Sequence, residues 1–127
     1  MYGSNAYNTY KQNSVNLASK DQLLLMLLDG AVKFSKIARQ AIIDKDIMKA
    51  HENLVKTQDI FVELMTSLDT NSGEWAGNLI ALYDFINRQL INANIKKDIN
   101  ILEETIRLIE EVRNMWYEVN RVSKGGR

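Results

Sequence analysis

The chain has 127 residues, 46% apolar and 25% charged, and its sixteen basic side chains cancel its sixteen acidic ones. That is enough for one domain with its own core, and the charge balance offers no basic face of the kind that nucleic-acid binding requires. Cysteine is absent, which excludes disulfides, thiolate metal sites and cysteine nucleophiles and suits a reducing cytoplasm; the apolar run at 23–28 is too short to span a bilayer, and no secretory signal pattern opens the chain.

Proline is missing and glycine is sparse. No segment alternates apolar and polar residues with period two, so the chain reads as all-α. Residues 1–18 form a polar, Asn- and Ser-rich leader, expected to be partly ordered. It carries Tyr7 and Tyr10, then Val15 and Leu17. The first helix is predicted over 19–43, with Ser19 as N-cap and Gln22 completing a capping box. Leu24, Leu27, Ala31, Phe34, Ala38 and Ala41 give it a stripe with spacings of three and four. Asp46 caps a second helix over 46–69, striped by Ile47, Ala50, Leu54, Thr57, Phe61, Leu64 and Leu68. "DTNSGE" is a turn by composition. The third helix, 74–94, carries Trp75, Leu79, Leu82, Ile86, Leu90 and Ala93, and "NANIKKD" is the next connection. Asp98 caps a fourth helix over 98–122, and 123–127 is a flexible tail. This last helix has two apolar seams: Ile99, Leu102, Ile106, Ile109 and Trp116, and beside them Ile101, Leu108, Val112, Met115 and Val119. Such a helix is expected to pack on several neighbours. Four long helices with short loops imply an antiparallel up-down-up-down four-helix bundle.

Bundles often house cofactors, but this pattern supports none. A di-iron bundle needs Glu-x-x-His, and the single histidine, His51, has Met48 three residues before it. One histidine is too few for a haem or zinc site, and "KGGR" is followed by no helix that could hold a phosphate. Phosphotransfer on His51 is the enzyme-coupled alternative; the small residue and lysine that such domains place after the histidine are not convincing in "KAHENLVK". The chain reads as a binding protein, not an enzyme.

What remains is surplus apolar surface. At about 100° per residue, Met48, Val55 and Val62 fall well off the core side of the second helix. Ile80 and Ile91 do so on the third, with Tyr83 at the margin. On the first, Leu25, Val32 and Ile43 form a similar second stripe. Contiguous apolar surface marks a binding site, an oligomer interface or a covered groove. These residues are the candidate contact surface; a homodimer interface is the plainer alternative. Tyr7, Tyr10, Val15 and Leu17 are candidates for a cover over part of it, since a tyrosine ring packs on apolar surface while its hydroxyl tolerates water.

The segment "NAYNTYKQNSVNLASKDQLLLMLLDGAVKF" resembles the N-terminal signature of the flagellar export chaperone family FliS: a tyrosine-bearing leader (Tyr7, Tyr10), Val15, Ala18-Ser19, and a Met-Leu-x-Asp-Gly element at residues 26–30. "LYDFINRQLINANIKKD" resembles the family's third-helix segment. Two departures stand out. Lys20 occupies a first-turn position where many members have proline, which is favoured but not required there. Leu28 stands where tyrosine is usual. The resemblance implies a cytoplasmic bundle whose client is the disordered C-terminal segment of flagellin. The chaperone would keep that segment from polymerising and bring it to the flagellar type III export apparatus. It further implies a leader that occupies part of the client groove, contact with an export-gate component, and no nucleic acid, membrane insertion or cofactor. The expected state is a monomer or weak homodimer.

Overall fold

A computed structural model describes residues 20–124, apart from the side chain of Thr70. Four helices follow one another: α1 (Lys20–Ile43), α2 (Ile47–Ser67), α3 (Glu74–Lys96) and α4 (Ile99–Ser123), with a single 3-10 turn (Thr70–Ser72) before α3. α2 packs on α1, α3 on α2 and α4 on α3, and α4 closes the ring on α1, while the diagonal pairs stay apart. This is the all-α, up-down-up-down arrangement expected of four such helices.

Local chemistry sets the ends. The Asp46 carboxylate accepts from the backbone N–H of Lys49 at 3.2 Å, and Asp98 accepts from those of Asn100 and Ile101 at 2.8 and 3.2 Å. Each satisfies N–H groups that a helix start leaves without intrahelical partners. α3 opens at Gly73, whose φ of +116° a side chain would resist. It runs to Lys96, through residues expected to be loop, because Ala93 and Asn94 are still buried against the bundle. It stops where Lys97 turns left-handed at φ +50°. Ser19 and the leader residues Tyr7, Tyr10, Val15 and Leu17 lie outside the described residues.

The core runs the length of the ring. Leu28, Leu54, Phe61, Ile86, Leu90, Leu102 and Ile109 have no exposed surface. Gly30 faces α2, where an added Cβ would meet Ile60 Cδ1 at 3.4 Å, an ordinary van der Waals distance. The polar member of the α2 stripe, Thr57, is buried and donates to the Asn53 carbonyl at 2.8 Å. Ser35 and Thr105 do likewise within their own helices, so none of the three hydroxyls is left unpaired. The long stripes are not buried throughout. Ile47 and Trp75, at the first turns of α2 and α3, are half exposed, because helix ends project beyond their neighbours.

Phe61→Ala removes a fully buried ring and is expected to cost about 3–5 kcal/mol, whereas Asp98→Ala, which removes a cap, should cost about 1 kcal/mol. Urea unfolding followed by circular dichroism checks both the order and the gap.

Candidate functional site

The site begins with a buried tyrosine. Tyr83, on α3, packs edge-to-face on Phe61 of α2, with ring centroids 5.9 Å apart, and its hydroxyl accepts from Trp116 Nε1 of α4 at 2.9 Å. Burial pushes the Tyr83 hydroxyl up to about 12, and the hydrogen bond from Trp116 opposes that shift. Tyr83 therefore is not a margin residue of the contact surface. Its ring lies inside, because it reaches across the bundle toward two helices at once.

Leu25 and Val32 are corrected in the same way. Both are buried, on the flank of α1 that α4 covers. That flank is fixed by Lys36 with Glu110 at 2.9 Å and by the Tyr117 hydroxyl donating to Asp29 at 2.5 Å. The Asp29 hydrogen bond also raises the Tyr117 hydroxyl above its ordinary value, with smaller contributions from burial and from the Asp29 charge. Ile43, at the end of this stripe, stays exposed.

The other candidates share one face. His51 of α2 meets Asn94 of α3 at 3.1 Å from its Nδ1 to the Asn94 amide nitrogen, and the same nitrogen reaches Gln58 at 3.5 Å. Lys97 Nζ holds the Asn94 side-chain oxygen at 2.9 Å. These contacts mark the side of α2 that faces α3. Val55 and Val62 follow His51 and Gln58 by four residues, about 40° around the wheel toward solvent. Met48 is 73% exposed, Val62 50% and Ile91 39%, while Val55 and Ile80 are half-buried. Ile95, four residues beyond Ile91, is 77% exposed and extends the strip. The outer face between α2 and α3 is thus a run of aliphatic side chains left exposed or half-exposed by the described residues.

A second apolar surface was missed. On the opposite flank of α3, Trp75, Leu79 and Leu82 face Met115, Trp116 and Val119 of α4 across a groove of about 510 Å³. One turn further along α3, Phe85 faces Leu108 in a second depression between the same two helices, edged by Glu104, Arg107 and Glu111. Phe85, Met115, Val119 and Val122 are all exposed. The second seam of α4 was expected to be covered by several neighbours, but among the described residues α4 packs on α1 and α3 alone, and none of them covers the outer part of that seam. The seven-residue recurrence of Leu108, Met115 and Val122 was the available signal. Next to this groove, a cavity of about 430 Å³ between the start of α1 and the end of α2 has Tyr83 and Trp116 in its lining.

Comparison with known proteins decides the family. The family model described as "Flagellar protein FliS" matches residues 3–123.

The chain belongs to the FliS family.

The flagellar secretion chaperone FliS of Bacillus subtilis (strain 168) is 41% identical over 112 residues, covering 88% of this chain and 84% of that protein. That of Salmonella typhimurium (strain LT2) is 33% identical over 126 residues, covering 94% and 93%. A crystal structure of a bacterial flagellar chaperone shares the fold with a TM-score of 0.74 at 15% identity, covering 94% of this chain and 98% of its own. FliS is a chaperone family rather than an enzyme family, and a chaperone role in flagellar export follows. Among the described residues, no helix is long and apolar enough to cross a membrane. Leu28, the departure from the family's tyrosine, is wholly buried, so its side chain serves the core.

The Tyr83 hydroxyl gives a pH signature. Unfolded, it ionises near 10; folded, burial holds the proton to about 12. Between those values the folded state binds more protons, so stability falls as pH rises from 10 to 12. Denaturant midpoints over that range should fall more steeply for the parent protein than for Tyr83→Phe. The variant should also be less stable near neutral pH by about 1 kcal/mol, having lost the Trp116 hydrogen bond.

Proposed function

We propose that this chain binds the disordered C-terminal segment of flagellin in the cytoplasm, keeps it from polymerising, and supports its delivery to the flagellar type III export apparatus, where an export-gate component is the next partner. The observation that carries this reading is the aliphatic strip between α2 and α3, exposed or half-exposed among the described residues, which holds Met48, Val55, Val62, Ile80 and Ile91. A segment with apolar residues at helical spacing can bury its stripe there in the helix-in-groove manner. Folding on binding lowers the net affinity but lets a long, poorly ordered client cover a large surface. The family membership supports a secreted flagellar client. The leader residues Tyr7, Tyr10, Val15 and Leu17 are the proposed cover of part of the client surface, and the chaperone acts as a monomer or weak homodimer.

Titration calorimetry with a peptide of the C-terminal segment of flagellin tests the reading. The expected result is saturable one-to-one binding with helix formation in the peptide. Val62→Asp and Ile91→Asp should each weaken it by about tenfold or more while leaving the thermal midpoint within a few degrees, since both side chains are exposed. Deleting 1–17 should tighten binding if the leader is a displaceable cover. Absence of binding by both the parent and the truncated chain would refute the proposal, and unaltered binding by both aspartate variants would move the client off this strip.

A further inference from the structure

The groove between α3 and α4 differs in chemistry from the α2–α3 strip. Its walls hold both tryptophans of the chain, Trp75 and Trp116. Along its α4 wall, Leu108, Met115 and Val122 recur every seven residues, and Glu104, Glu111 and Glu118 recur at the same spacing along the outer edge. Val119, also exposed, interleaves with Met115 and Val122 to give spacings of four and three, the pattern of one side of a coiled-coil interface, in which charges along the edge select the partner and its register. At about 1.5 Å per residue, the stretch 108–122 offers about 21 Å of seam, or about four helical turns. Among the described residues neither Glu104 nor Glu111 forms an ion pair, and Glu118 pairs only with Arg121 of its own helix. Arg107 is the basic group beside them; opposite it the α3 edge presents Asn78 and Gln89, which carry no charge.

We infer that the α3–α4 groove docks an amphipathic helix from a second protein partner, distinct from the exported client, whose apolar heptad stripe is edged by lysine or arginine. The apolar stripe fills the seam beside Met115 and Phe85, and the basic edge meets Glu104, Glu111 and Glu118. A second copy of this chain is disfavoured as occupant because the same acidic edge would face itself. The groove and the aliphatic strip lie on opposite flanks of α3, so the chaperone can hold its client and this partner together.

The test uses the full chain and two designed heptad peptides of about 21 residues with the same leucine and isoleucine stripe, one edged by lysine and one by glutamate. Tryptophan fluorescence reports directly, since Trp75 and Trp116 both line the groove. The lysine-edged peptide should bind saturably and about tenfold more tightly than the glutamate-edged one at low salt, with the difference shrinking at high salt. The double variant Glu104→Lys/Glu111→Lys, at exposed positions, should reverse the preference while keeping the helical circular dichroism. Saturation with the flagellin segment should leave the lysine-edged peptide bound. Equal affinities, or a preference that survives the charge reversal, would overturn the inference. So would displacement by the flagellin segment, which would give the groove to the client, or a concentration-dependent dimer abolished by Met115→Glu, which would give it to a second copy.

Discussion

One buried tyrosine ties three helices together. The Tyr83 ring rests on Phe61 of α2, and its oxygen takes the Trp116 N–H of α4. A buried indole N–H or phenol without a partner is costly, so the pair fixes how α4 is rotated about its own axis beside α3. That rotation turns Leu102, Ile106 and Ile109 inward. It leaves Met115, Val119 and Val122 outward and so creates the groove. On the other side of α3, the His51–Asn94–Lys97 cluster sets the α2–α3 spacing and with it the aliphatic strip. Both apolar surfaces are consequences of how α3 is held by polar contacts on its two flanks.

A chaperone for a disordered segment has to stay folded while exposing surface that a monomer would ordinarily hide. The ring of helices meets this demand by separating the tasks. The inward stripes supply a continuous core from Leu23 to Val112, with the Ser35, Thr57 and Thr105 hydroxyls satisfied inside their own helices. The outward aliphatic residues contribute little to folding and remain available for a client. Most of the exposed apolar side chains gather along the two flanks of α3, and such contiguity is better explained by binding than by chance scatter, since scattered ones are normal on any surface.

The fold was legible in the sequence because its signals are local. Spacings of three and four marked the stripes, and Asp46 and Asp98 announced helix starts that the structure shows as side-chain caps. The surfaces were legible only in part, because a helical wheel gives one helix at a time and not its neighbours. Leu25 and Val32 sit off the centre of the α1 stripe, yet α4 covers that flank and buries them. Tyr83 looked marginal because the wheel ignores the length of a side chain. The outer seam of α4 erred in the opposite sense: its apolar width suggested several neighbours, and among the described residues the ring supplies two. Where Tyr7 and Tyr10 lie relative to either surface depends on contacts beyond the described residues, and no periodicity in the leader encodes it.

Amide hydrogen exchange of the full chain, with and without a saturating flagellin C-terminal segment, tests the central claim most directly. Protection concentrated on the facing turns of α2 and α3 around Val55, Val62 and Ile91 is the predicted result. Protection confined to the outer face of α1, or no change on the α2–α3 flank in a complex that demonstrably forms, would contradict it.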